Sequence, residues 1–250
     1  MLNKLIKIML WSLFGAFLLV TIGYATVRYH NVRCTSLQVV VQDSLRCQFV
    51  TEKDVLDLLH KNQKQVLGIK MDSIKLKNLE NLIQKIPAVK NVEVYRTIAD
   101  FGKNNGGRLM IDIEQHEPVM RVMTSKKQYY LNAERGIMPL SRNYSALVPV
   151  VSGYVSEKSV KGDLWDLTNY IYCHPFWKSQ IEQIYVEKDG DILMVPRVGD
   201  HIVELGTAEN YETKLRNLKT LYKNEFRKDG WNSYKKISLK YNNQVVCTKK

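Results

Sequence analysis

From Ile8 to Val27 the chain reads IMLWSLFGAFLLVTIGYATV, twenty residues without a charge. A helix rises 1.5 Å per residue, so such a run covers the ~30 Å of hydrocarbon in a bilayer. Lys4 and Lys7 precede it and favour a cytoplasmic N-terminus, while Trp11, Tyr24 and Tyr29 suit the two interfaces. Arg28 and Arg33 on the far side weaken the charge bias, but a first helix with a short leading tail usually sets orientation. The competing reading is a cleaved signal peptide, for which Gly23-Tyr24-Ala25 resembles a small-x-small cleavage site. The apolar run exceeds the ~7–15 residues typical of such a peptide, which favours an uncleaved anchor. Either way the remainder is exported. The expected boundaries are a cytoplasmic tail over 1–7 and a transmembrane helix over 8–28.

The remaining residues, roughly 220, suffice for two modest cores. A hydrophobic fraction of 45% and a charged fraction of 25% are ordinary for a globular chain, and exclude a disordered tail or a polytopic transporter. The net charge of +12 is unusual, yet Lys and Arg are spread without dense blocks. No RNP-type, zinc-finger or helix-turn-helix signature accompanies them, so a basic surface near anionic lipid is preferred to nucleic-acid binding. The four cysteines, Cys34, Cys47, Cys173 and Cys247, contain no C-x-x-C pair. Cys34 and Cys47 admit two readings, a bridge around a small loop or two partly buried thiols.

Leu37–Val41 is a β-branched run and a strand candidate. Thr51-Glu-Lys-Asp54 resembles a capping box ahead of Val55, Leu58 and Leu59. A second helix is expected over Ser73–Lys85, with Ile74, Leu79, Leu82 and Ile83 near one stripe and Pro87 as its stop. Val89, Val92 and Val94 mark a strand, Asn105-Gly106-Gly107 a hairpin turn, and Arg108–Glu114 the returning strand. The order strand, helix, helix, strand, strand, with IPAVKNVEVYRT leading into GRLMIDIEQHEPV, is similar to a POTRA domain, here expected over 35–118.

Beyond Pro118, Tyr129–Gly136 followed by Ile137–Leu140 reads as two strands around a turn at Gly136, and an apolar run covers Val148–Gly153. A helix is expected over Asp163–Cys173, followed by strands at Ile181–Glu187, Ile192–Pro196 and His201–Leu205. Another helix covers about Glu209–Phe226, and a last strand runs from Lys236 to Cys247, interrupted by Asn242-Asn243. These short strands point to an antiparallel sheet. The fold class expected is therefore α+β: a single N-terminal transmembrane helix, a POTRA domain (βααββ), and a β-rich mixed domain over 119–250 with an antiparallel sheet and a C-terminal edge strand.

The whole arrangement resembles the bacterial cell-division family FtsQ/DivIB. Glu117-Pro118 at the junction, Asn132-Ala-Glu-Arg-Gly136, His201-Ile-Val-Glu-Leu-Gly206, Lys214-Leu215 and Ile237-Ser-Leu-Lys-Tyr241 carry the resemblance, and LKYNNQVVCTKK looks most like its Bacteroidetes branch. Asn132 departs from the acid common in the family, and the cytoplasmic tail is very short. The resemblance implies a divisome scaffold in the bacterial inner membrane at the septum, single-pass, with the bulk of the chain periplasmic. It implies that the last strand binds membrane-anchored coiled-coil partners of the FtsB/FtsL type by strand addition, and so helps regulate septal peptidoglycan synthesis. Carried onto this chain, the partner-binding residues are Lys240, Tyr241, Val245 and Val246, although Val245 and Val246 equally suit a core.

Catalytic machinery is not expected. The histidines at 30, 60, 116, 174 and 201 stand in no metal-ligand spacing, and no nucleophile elbow, phosphate loop or dinucleotide fingerprint occurs. Asp189-Gly190-Asp191 lacks the later ligands of a calcium loop and reads as a turn. Hence no catalytic residue, metal, cofactor, small-molecule substrate or nucleic acid is expected. Two other functions stay open: a POTRA-containing partner in outer-membrane assembly or secretion, and an exported enzyme with a non-local site.

Overall fold

The computed structural model describes residues 2–30, 32–43, 47–62, 65–98, 106–142, 144–226, 230–241 and 244–250. The apolar N-terminal run forms a helix, α1 (Leu2–His30). Among the described residues no helix is long and apolar enough to cross a membrane, so the span expected over 8–28 is not found there.

The chain divides into two units, Met1–Ser44 with Val50–Gln115, and Leu45–Phe49 with His116–Lys250. Past α1, the first unit holds β1 (Arg33–Val41), α2 (Glu52–Lys61), a 3-10 turn at Met71–Ser73, α3 (Leu76–Ile83), β2 (Val89–Ile98) and β3 (Gly106–Gln115). The capping box at α2 forms as its spacing predicts. Asp54 N–H donates to Thr51 Oγ1 at 3.3 Å, and Thr51 N–H donates to Asp54 Oδ2 at 2.9 Å. α3 starts later than expected because Met71–Ser73 takes the tighter turn and Lys75 is non-helical. β3 is the middle strand, parallel to β1 and antiparallel to β2. Its alternate residues Leu109, Ile111 and Ile113 are fully buried, with Val55 and Ile83 also in the core. Of the expected turn Asn105-Gly106-Gly107, Asn105 lies outside the described residues, while Gly106 and Gly107 already belong to β3.

The second unit is a nine-stranded sheet in the order β12-β11-β10-β9-β8-β7-β4-β5-β6 among the described residues. Its strands are β4 (Pro118–Met123), β5 (Gln128–Asn132), β6 (Ile137–Met138), β7 (Val150–Gly153), β8 (Ile181–Val186), β9 (Ile192–Pro196), β10 (Ile202–Gly206), β11 (Tyr234–Ser238) and β12 (Val246–Lys249). The sheet is mixed, where an antiparallel one was expected. β4 with β7, β7 with β8, and β10 with β11 run parallel. A parallel pair needs a crossover rather than a tight turn. α4 (Glu157–Lys161), α5 (Asp163–Cys173) and α6 (Pro175–Gln180) provide one between β7 and β8, α7 (Tyr211–Asn224) provides a second between β10 and β11, and β4 reaches β7 through β5, β6 and the segment 139–149. These helices cover a core that includes Leu167, Ile171, Trp177, Leu215 and Leu218 against Val151, Ile184, Met194, Val203 and Ile237. Gly153 ends β7 at φ +92, and a Cβ there would lie 2.2 Å from Val186 O, so only glycine lets β7 and β8 close.

The last strand also differs from expectation. Lys236–Cys247 is not one strand but two, β11 and β12, folded back antiparallel with Ser238 opposite Val246. β11 is interior, paired parallel to β10, and β12 takes the sheet edge.

Candidate partner-binding edge

Two supports hold the C-terminal hairpin in place. The first is α7, whose buried Leu215, Leu218 and Tyr222 lie in the core with Val203, Leu205, Ile237 and Leu239. The Lys214 ammonium donates to the Leu205 and Thr207 carbonyls at 3.0 and 2.9 Å, tying the helix start to the end of β10. Burial pulls that ammonium below its ordinary pKa. The second is an aromatic plug. His201 Nε2 lies 2.7 Å from the Tyr222 hydroxyl, and Phe226, Trp231 and Tyr234 close around the pair. Burial pushes the imidazole below its usual pKa and the Tyr222 hydroxyl above its own, so both stay neutral.

A small charge network fixes the return of the hairpin. Glu204 on β10 accepts from Lys236 at 2.9 Å and lies 3.4 Å from the Lys240 ammonium, which also pairs with Asp191. Burial would raise the Glu204 carboxyl, but the Lys236 hydrogen bond and the charges of Lys236 and Lys240 outweigh it and hold the group below its ordinary value. Hydrogen bonding to Asp191 drives Lys240 the other way, above the usual lysine range. Gly206, at φ +73, makes room for this crossing, since a Cβ there would come within 2.8 Å of Lys240 Cγ.

The four residues expected to meet a partner are therefore placed differently from one another. Lys240, exposed, is held by Asp191 and Glu204. Tyr241, 60% exposed, stands in the hairpin connection beside a shallow hollow of about 240 Å³ that Asn217 and Gln244 also line. Val245 is partly buried against the core. Val246, 44% exposed, opens β12, whose outer side has no neighbouring strand among the described residues. Tyr241 and Val246 are thus the pair that presents apolar surface. Glu204 and Asp191 escaped sequence reasoning as organisers of the hairpin. The available signal was an acid at the outward position of the alternation in His201-Ile-Val-Glu-Leu.

Elsewhere in this unit, Glu187, Asp189 and Asp191 bring one carboxylate oxygen each within 4.8 Å of one another around the β8–β9 turn. Asp191 Oδ2 already pairs with Lys240, and Asp189 Oδ1 accepts from Asp191 N–H at 3.2 Å, so these two aspartates serve the hairpin and the turn. The Asn132 side chain, 3% exposed, accepts from Glu134 and Gly136 N–H at 3.1 and 2.6 Å, which pins the β5–β6 turn. Cys34 and Cys47 are thiols rather than a disulfide.

A small α/β unit followed by a mixed sheet with one open edge defines a binding protein of POTRA-containing architecture. Residues 32–114 match the family model of a POTRA-like domain. Residues 117–248, which is 132 of the 250, match the model described as FtsQ/DivIB, C-terminal related. The chain belongs to the FtsQ/DivIB family. Its members are non-catalytic scaffolds, which makes this a division-associated protein that acts through contacts with other division proteins. No curated protein matches the chain.

Proposed function

We propose that this protein is a single-pass scaffold of the bacterial inner membrane at the division septum. In this reading it binds FtsB/FtsL-type coiled-coil partners by adding their strand to β12, and through them regulates septal peptidoglycan synthesis without catalysing a reaction. The observation that carries the reading is the position of β12 at the end of the sheet, with Tyr241 and Val246 exposed beside it. An unpaired strand edge offers a row of N–H and C=O groups to an incoming strand, and exposed aromatic and aliphatic side chains supply its anchors. Lys249 stands exposed on the same strand, which suits a partner carrying an acid opposite it.

Support for the anchor is the all-round exposure of apolar side chains on α1, among them Met9, Leu13, Phe17, Leu19, Val20 and Ile22. A helix apolar on every side needs a hydrocarbon or protein cover. Lys4 and Lys7 then keep the tail cytoplasmic and leave both folded units in the periplasm.

The test is capture of membrane coiled-coil partners by the intact chain and by a Tyr241→Glu/Val246→Glu double variant whose melting matches the parent. Loss of capture is expected. Capture at parental level would overturn strand addition at β12, and depletion without filamentation would overturn the division role.

A further inference from the structure

A second hollow lies at the opposite end of the sheet, about 370 Å³ in volume. Arg121, from β4, enters it with its guanidinium 5.9 Å from the centre of the Tyr130 ring. β4 sits between β5 and β7, so the base of this side chain is fixed by strand pairing on both sides. One arm, Nη2, donates to Gln128 Oε1 at 2.9 Å. The Nε of the same guanidinium is buried and has no partner among the described residues. A buried donor left without an acceptor is costly, and a charged one more so.

Among the other described residues around the hollow, Arg142 brings a second guanidinium, and Ser145 Oγ shares one hydrogen bond with the Tyr130 hydroxyl at 3.3 Å. No carboxylate is among the described lining residues. Two guanidinium groups without a compensating acid form a cationic site whose planar forks match tetrahedral oxyanions, and the hydroxyls can complete the shell.

We infer that this hollow is an oxyanion site for a phosphate group, held by Arg121 and Arg142. The chemistry is shared by a free phosphate and a phosphate headgroup of a lipid, and the volume accepts either.

The inference is tested by calorimetric titration of the full chain in a non-ionic detergent, with inorganic pyrophosphate in one arm and short-chain phosphatidic acid in the other. Saturable binding is expected in at least one arm. Binding confined to pyrophosphate assigns a free phosphate, and tighter binding of phosphatidic acid assigns a lipid headgroup. Arg142→Ala, an exposed position that leaves the sheet intact, is expected to weaken binding about tenfold or more, the worth of one charge-assisted hydrogen bond. Arg121→Gln should abolish it, provided its melting shows a folded unit. Absence of binding in both arms, or equal binding by the parent and Arg142→Ala, would overturn the site.

Discussion

The two ends of the nine-stranded sheet deal with the same hazard in different ways. At one end β6 has only two residues, Ile137 and Met138, and Met138 is buried. The Asn132 side chain clamps the turn that leads into it. So short an edge offers an incoming chain too few backbone groups to pair with. At the other end β12 has four residues, three of them exposed, and no covering element among the described residues. Its protection is charge. Residues 235–250 carry five lysines and no acid; Lys236, Lys240 and Lys250 pair with Glu204, Asp191 and Asp200, so Lys235 and Lys249 supply the charge left uncompensated among the described residues. Lysine on an edge repels another basic edge, and therefore a second copy of this chain, but admits an acidic strand. Brevity leaves the β6 end few backbone groups to pair, whereas the β12 end keeps its backbone groups beside charged side chains.

The contrast breaks most completely if the β12 end loses its footing. Ile237, fully buried on β11, underlies the hairpin. Ile237→Ala should cost about 2–5 kcal/mol in urea unfolding and abolish partner capture, since the cavity lies in β11, the strand with which β12 pairs. His201→Ala comes next, at about 2–3 kcal/mol, because it empties the plug and leaves the Tyr222 hydroxyl without its partner.

His201 also predicts how pH separates the two ends. Its folded pKa lies below the ordinary 6.5, so the unfolded chain binds the extra proton. The stability it confers is complete above 6.5 and declines as pH falls below that value. Hydrogen exchange at pH 7 and pH 5 should show protection falling across β10–β12 while β5–β6 holds. In His201→Ala that contrast should vanish, whereas equal loss at both ends of the parent would refute the plug as its cause.

Much of this architecture was legible because its signals are local. The Thr51–Asp54 capping box, the Pro87 stop, the alternation of Leu109, Ile111 and Ile113, and the helix Asp163–Cys173 each announce themselves within a dozen residues. Strand direction is not a local property. A short apolar run such as Val150–Gly153 reads alike whether its neighbour is parallel or antiparallel, and only the helical crossover to β8 decides. The fold-back of the last strand was hidden for a similar reason. Both halves have β-forming residues, and Asn242-Asn243 marks an interruption without giving its angle. At the edge, the family resemblance assigns Lys240 to the partner, and nothing local in the sequence announces its ion pairs. Its acids, Asp191 and Glu204, are 49 and 36 positions away in sequence.

Glu204→Gln tests the charge network at a scale of about 1 kcal/mol, the worth of a partly exposed ion pair. Its folded carboxyl sits below the ordinary 4.5, so the unfolded chain takes up its proton first on acidification. The contribution is complete above pH 4.5 and disappears as pH falls through the lower folded value. Thermal melts of parent and variant should differ at pH 7 and converge at pH 3. A difference that persists at pH 3 would point to packing instead of charge.

The smallest effect on stability should belong to Tyr241→Glu alone, within about 0.5 kcal/mol in urea unfolding, because the ring is mostly exposed and sits in a connection. Its counterpart at the closed end, Ile137→Glu, alters a side chain 47% exposed on β6 and should be similarly mild. If charge selects partners at β12 while brevity forbids them at β6, the two variants part company only in capture. Tyr241→Glu removes an anchor at the open edge and should weaken capture, whereas Ile137→Glu should leave it at parental level. Equal loss in both would mean that a partner reads the whole sheet, and the distinction between a closed end and a selective one would fail.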